Sequence, residues 1–128
     1  MKFKLLIHIN EHERWEVAIS NIVNFLNDVG DENAEAVVVA NGSGVKGYIR
    51  EGEPPEAGQA AVCAVGVSAG RADMENLSKR GVLFLACRNA LTAQQIGAES
   101  LPDFVTIVPA GITEIVKRQA DGFAYIKP

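Results

Sequence analysis

The sequence has no apolar run long enough to cross a bilayer, no cluster of basic residues and almost no cysteine, and each shortage removes a class of function. The run AAVCAVGVSA at 60–69 is about half the length a spanning helix needs. MKFKLLIHI at the start carries two lysines ahead of an apolar stretch, but the charged NEHERWE follows at once, so a secretory signal is not expected. The twelve Lys and Arg are scattered among sixteen Asp and Glu, giving a net charge of −4 and a pI near 5.1. That balance offers no electrostatic grip on a phosphate backbone. Neither nucleic acid nor membrane is an expected partner, and a cytoplasmic location is the expectation.

Two cysteines, Cys63 and Cys87, do not make a disulfide scaffold in a chain with this much apolar sequence, and in a reducing compartment both are free thiols. Their separation is not C-x-x-C, which indicates neither a thioredoxin-type motif nor a zinc site. HINEHERW offers His8, Glu11, His12 and Glu13, yet the two histidines lie across a strand-to-helix transition rather than on one helix face. No metal and no cofactor is therefore expected. G-x-S-x-G is absent, and hydrolase chemistry is without support.

What is present is a chain of 128 residues, 48% apolar and 22% charged, which suits one domain over 1–128 with a single core. The short apolar runs FKLLIHI (3–9), AEAVVVAN (34–41), VLFLAC (82–87), FVTIVPA (104–110) and FAYIK (123–127) read as strands buried on both faces, the mark of a parallel sheet under helices. Trp15, Ala18, Ile19, Ile22, Val23, Leu26 and Val29 recur at spacings of three and four before Gly30, predicting an amphipathic helix of about four turns. Ile112, Ile115, Val116 and Gln119 predict a second helix with those residues on one face, ended by Gly122. Residues 71–81 and 88–97 are shorter helical segments, each closed by Gly. Strand alternating with helix predicts a layered α/β fold with right-handed crossovers. The segment 51–70, with paired prolines and many small residues, reads as a long surface loop containing a short extended piece near Cys63.

In an open parallel sheet, ligands bind beyond the carboxyl ends of the strands. That edge collects His8, Ile9 and Asn10 from the first strand, Asn41 to Gly44 from the second, Cys87, Arg88 and Asn89 from the third, and Pro109, Ala110 and Gly111 from the fourth. Cys87 falls at a strand end just before a helix, where unpaired N–H groups and the neighbouring Arg88 favour an anionic sulfur. A small buried hydrophobe is the other reading of Cys87, and the residues alone leave both open. Cys63 has no charged neighbour and reads as packing. His8 can assist Cys87, hold a ligand or sit satisfied beneath a helix. GSGVKG (42–47) has the G-x-G-x-x-G spacing, but after the second strand and without the acidic residue a ribose needs. Gly42 and Gly44 either cradle a small anion with their N–H groups or make a tight turn into a short helix.

The pieces HINEHERWEVAISNIVNFLND, VVVANGSGVKGYI, KRGVLFLACRNAL and VTIVPAGITEIVKRQADGFAYIKP, in that order, resemble the DsrE-like (DsrE/DsrF/DsrH) family of small sulfur-metabolism proteins over most of the chain. GVLFLACRNAL and the carboxyl-terminal piece are the most specific. The resemblance implies a three-layer α/β/α domain with a mainly parallel five-stranded sheet. It also implies homo- or hetero-oligomers built from trimers, here a homotrimer or hexamer, with sulfur donor and acceptor proteins as partners. In relay members of the family the cysteine after the third strand carries sulfur as a persulfide, and Cys87 occupies that position. The expected function is a small sulfur-relay protein with Cys87 as the reactive residue and His8, Asn41, Gly42, Gly44, Arg88 and Asn89 around it. The alternative is a non-catalytic oligomeric module that binds a small anion or nucleotide, with Cys87 structural.

Overall fold

Among the described residues five strands form where the apolar runs predicted them: β1 (Phe3–Ile9), β2 (Ala34–Ala40), β3 (Leu83–Cys87), β4 (Val105–Val108) and β5 (Ala124–Ile126). The computed structural model describes residues 2–49 and 72–128. The predicted loop at 51–70 and Cys63 lie outside the described residues. Every strand pairing is parallel and the sheet order is β4-β3-β2-β1-β5. The strands alternate with α1 (Trp15–Val29), α2 (72–79), α3 (Arg88–Ala93) and α4 (Gly111–Ala120). The fold is thus α/β with an all-parallel sheet and flanking helices.

Parallel strands with the same alternation divide the core in two. Leu5, Ile7 and Ile9 of β1, Ala36, Val38 and Ala40 of β2, and Phe84 and Ala86 of β3 point to one face. There they meet Ala18, Ile22 and Leu26 of α1, Met74 and Leu77 of α2, and Ala90 and Leu91 of α3. On the opposite face Leu6, Val37, Val39 and Leu85 are covered by Ile115 of α4 and by Phe123. Phe123 in turn lies between the Lys4 ammonium, 5.5 Å from its ring centroid, and the Arg118 guanidinium, 5.6 Å away, so two cations fasten the start of β5 to the sheet.

The larger face is locked by aromatic residues. Trp15 and Tyr48 meet edge-on at 5.1 Å, and Tyr48 meets Phe84 at 90°. Trp15 Nε1–H donates to the Gly44 carbonyl at 2.7 Å, and the Tyr48 hydroxyl donates to the Leu85 carbonyl at 2.8 Å. GSGVKG therefore folds as a 3-10 helix, Gly42–Tyr48, pressed onto the end of β1. A Cβ at Gly44 would collide with the Ile9 carbonyl, and one at Gly47 with the Trp15 indole, so the small residues answer a steric demand.

Two sequence expectations are corrected by the helices. The 88–97 segment is not closed by Gly97. The helix ends at Ala93, with Gln95 at φ 58° and the Ile96 N–H bonding back to the Leu91 carbonyl at 2.9 Å, a Schellman closure made without glycine. On α4, Ile112, Ile115, Val116 and Gln119 do not share a buried face. Gly111 and Ile115 form the stripe against the sheet, whereas Ile112 and Val116 remain 63% and 60% exposed. A lone helix over this face presents only its i, i+4 stripe to the sheet, and no second helix among the described residues meets the next stripe. No described helix is long and apolar enough to cross a membrane.

Burial drives the Tyr48 hydroxyl well above the usual tyrosine value of about 10, so the folded protein keeps this proton where the unfolded chain releases it. The contribution of Tyr48 is therefore complete below about pH 10 and lost as pH rises beyond it. Tyr48→Phe should lower stability at neutral pH by about 1 kcal/mol, through the lost hydroxyl bond. The same substitution should flatten the decline above about pH 10, as read by denaturant midpoints at the two pH values.

Candidate functional site

The β1–β2 ladder pairs His8 with Val39 and ends at Ile9 with Ala40, and the β2–β3 ladder ends at Ala40 with Ala86. Continuing both by one residue sets Asn41 between the end of β1 and Cys87. His8, on the same face as Leu6, points toward the α4 side. It is only 8% exposed, yet both ring nitrogens are satisfied. Nδ1 lies 2.7 Å from the Tyr125 hydroxyl and Nε2 lies 2.9 Å from Asn41 Oδ1. A buried imidazole with two partners is held in position and orientation by them.

Cys87 is the last residue of β3 and the N-cap of α3, with extended backbone (φ −75°, ψ 121°) and 6% exposure. The first N–H groups of a helix have no partner within it, and those of α3 follow Cys87 directly. Gly111 opens α4 on the other side. A Cβ placed there would stand 3.2 Å from Cys87 Cβ, 3.3 Å from Val39 and 3.4 Å from Asn41 Cβ. Three elements thus close around one point: β2 through Asn41, β3 through Cys87 and the first turn of α4 through Gly111.

The remaining residues expected here divide into two groups. Arg88 and Asn89 are exposed on the first turn of α3, with no side-chain hydrogen bond to another described residue. Gly42, at φ 54°, lies against the Asn10 carbonyl, and Gly44 is buried under Trp15. His12 is exposed in a 3-10 turn, its N–H donating to Ser43 Oγ at 3.1 Å, and takes no part with His8. Among the described residues no group of three or more His, Cys, Asp or Glu is arranged to hold a metal.

Sequence reasoning missed Tyr125 and Gly111. Gly111 was visible as an edge residue but had no polar group to mark it. Tyr125 becomes visible only once β5 pairs with β1, because the register of Leu6 with Tyr125 then puts its ring one step from His8 on the same face.

The fold is that of an α/β chain whose parallel sheet carries Cys87, Asn41 and the buried His8 at its carboxyl edge. The chain belongs to the DsrE/DsrF-like family, which matches residues 4–128. Among solved structures it is similar to the protein of unknown function MTH1491 from Methanobacterium thermoautotrophicum. The two are 31% identical, over 99% of this chain and 100% of that one, with a TM-score of 0.76. No curated protein matches the chain.

The crowding around Gly111 generates a stability prediction. Gly111→Ala should lower stability by about 1–3 kcal/mol by forcing Val39, Asn41 and Cys87 apart. A shift in denaturation midpoint at unchanged m-value would be the observation; an unshifted midpoint would show that the site has room for the methyl group.

Proposed function

We propose that the protein is a sulfur carrier in which Cys87 holds sulfane sulfur as a persulfide and hands it to a partner. The observation that supports this most is the meeting of Cys87, Asn41 and Gly111 at the carboxyl edge of the sheet, with Asn41 held by a buried His8. Family membership supports the same reading.

The chemistry balances without an external oxidant. The Cys87 thiolate attacks the outer sulfur of a donor persulfide, a new S–S bond forms to Cys87, the donor's S–S bond breaks, and the donor leaves as a thiolate. Attack by an acceptor thiolate on the outer sulfur of Cys87 reverses the arrangement and frees the carrier. Donor and acceptor are proteins or small thiols that reach the edge where Arg88 and Asn89 are exposed.

Incubation with a low-molecular-weight persulfide should add the mass of one sulfur atom to the peptide containing Cys87, and Cys87→Ser should abolish that addition. No added mass on Cys87, or a serine variant that behaves as wild type, would remove the relay reading. A second reading, a binding module in which Cys87 only packs, is favoured by its 6% exposure. Slow alkylation of Cys87 by iodoacetamide in the folded protein, at the rate of its unfolding, would select that one instead.

We further propose self-association, as a trimer or hexamer, through the apolar stripe that Ile112 and Val116 leave uncovered on α4. Light scattering should give a mass above that of one chain, and Val116→Glu should return it to the monomer.

A further inference from the structure

The hydrogen bonds of His8 set a direction along a chain of side chains. Asn41 Oδ1 can only accept, so the Nε2 atom 2.9 Å from it carries the ring proton. In the neutral ring Nδ1 then has a lone pair, and the Tyr125 hydroxyl, 2.7 Å away, donates to it. Tyr125 thereby selects the tautomer that Asn41 requires. Asn41 follows the end of β2, the strand between β1, which supplies His8, and β3, which supplies Cys87. With Oδ1 occupied by His8, the two N–H donors of Nδ2 make no side-chain hydrogen bond to a described residue and remain to be used at this edge.

We infer that Tyr125 is a positioning residue for Cys87: through His8 it fixes the Asn41 carboxamide so that its N–H donors serve the sulfur on Cys87. The inference rests on the sulfur-carrier reading for its use, although the array exists independently of any sulfur transfer. Its members are Tyr125 on β5, His8 on β1, Asn41 just past β2 and Cys87 at the end of β3. The ligand it fits is an anionic sulfur, a thiolate or the outer atom of a persulfide, because a carboxamide N–H donates without bringing a competing charge.

Two variants and two readouts test it. Nitrogen-15 chemical shifts of His8, measured where the ring is neutral, should show the single Nε2–H tautomer in the wild type. Tyr125→Phe should add the Nδ1–H tautomer, a change that lost packing would not produce. Asn41→Asp keeps an acceptor for His8 Nε2–H but replaces the N–H donors by a negative oxygen. With an unchanged near-ultraviolet circular dichroism spectrum it should slow alkylation of Cys87 about tenfold at neutral pH, because a negative oxygen in place of the donors disfavours an anionic sulfur. Tyr125→Phe should slow it by about threefold, the weight of one modest hydrogen bond.

An unchanged His8 tautomer in Tyr125→Phe, or wild-type alkylation in Asn41→Asp, would overturn the inference. If both shifts occur while persulfide adds no sulfur to Cys87, the array stands and the relay reading falls. If Cys87 loads sulfur equally fast in the wild type and both variants, the relay stands and the array falls.

Discussion

The seven-pair parallel register of β1 against β2, from Phe3 with Ala34 to Ile9 with Ala40, is the constraint on which the carboxyl edge depends. A side chain in a strand changes face with every residue, so a slip of one position would drive His8 into the aromatic core and turn Ile7 and Ile9 outward. In the observed register the odd residues of β1 fill the larger core, and His8 falls on the face that α4 covers. The same register ends both strands at one level, which brings Asn41 beside His8. A buried imidazole without partners would cost more than a lost hydrogen bond, and Tyr125 and Asn41 remove that cost from opposite sides.

The two faces of the sheet are covered unequally, and Cys87 still counts among the residues of the larger cluster. α1, α2, α3 and the Gly42–Tyr48 helix bury the larger apolar cluster on one side, with Trp15, Tyr48 and Phe84 interlocked at its centre. Among the described residues the other side is covered by α4, through Gly111 and Ile115, and by Phe123. Beyond the packed elements, the Arg80 guanidinium binds Asp31 at 2.8 Å and holds its carboxyl below the usual value, through that hydrogen bond first. This pair is solvent-exposed and ties the end of α2 to the turn before β2 without setting the stability of the fold. The thinly covered face is where polar side chains can be placed at small cost to the core.

β1, β2 and β3 were legible because residues buried on both sides leave nearly continuous apolar runs, and α1 because its apolar positions follow one stripe from Trp15 to Leu26. β4 and β5 read the same way but are edge strands, β4 only partly buried and β5 exposed. The glycine pattern at 42–47 was ambiguous for a physical reason: glycine serves equally where a ligand and where another backbone comes close. Ile9 and Trp15, distant in sequence from Gly44 and Gly47, decide the matter toward packing. The buried stripe of α4 is not legible, since a helix of ten residues whose large apolar side chains are Ile112, Ile115 and Val116 has no unique stripe until its neighbours are known. Tyr125 was out of reach of any local pattern. The last strand of the chain pairs with the first, and only that pairing joins Tyr125 to His8.

Burial of Cys87 does not by itself oppose a chemical role, because the boundary between core and solvent runs through this residue. Ala86 before it is fully buried, and Arg88 and Asn89 after it are exposed. A cysteine in the middle of β3 would be sealed by neighbours on both sides. Cys87, at the strand end, is still paired with Val108 of β4 but lies beyond the last β2–β3 pair, at the point where α3 begins, and the adjoining position on α4 is a glycine. The glycine answers crowding at this point, since a Cβ there would stand 3.2 Å from Cys87 Cβ, 3.3 Å from Val39 and 3.4 Å from Asn41 Cβ. Packing therefore accounts for Gly111. It gives no reason for a buried imidazole bonded on one side to Tyr125 and on the other to the Asn41 carboxamide at the same edge.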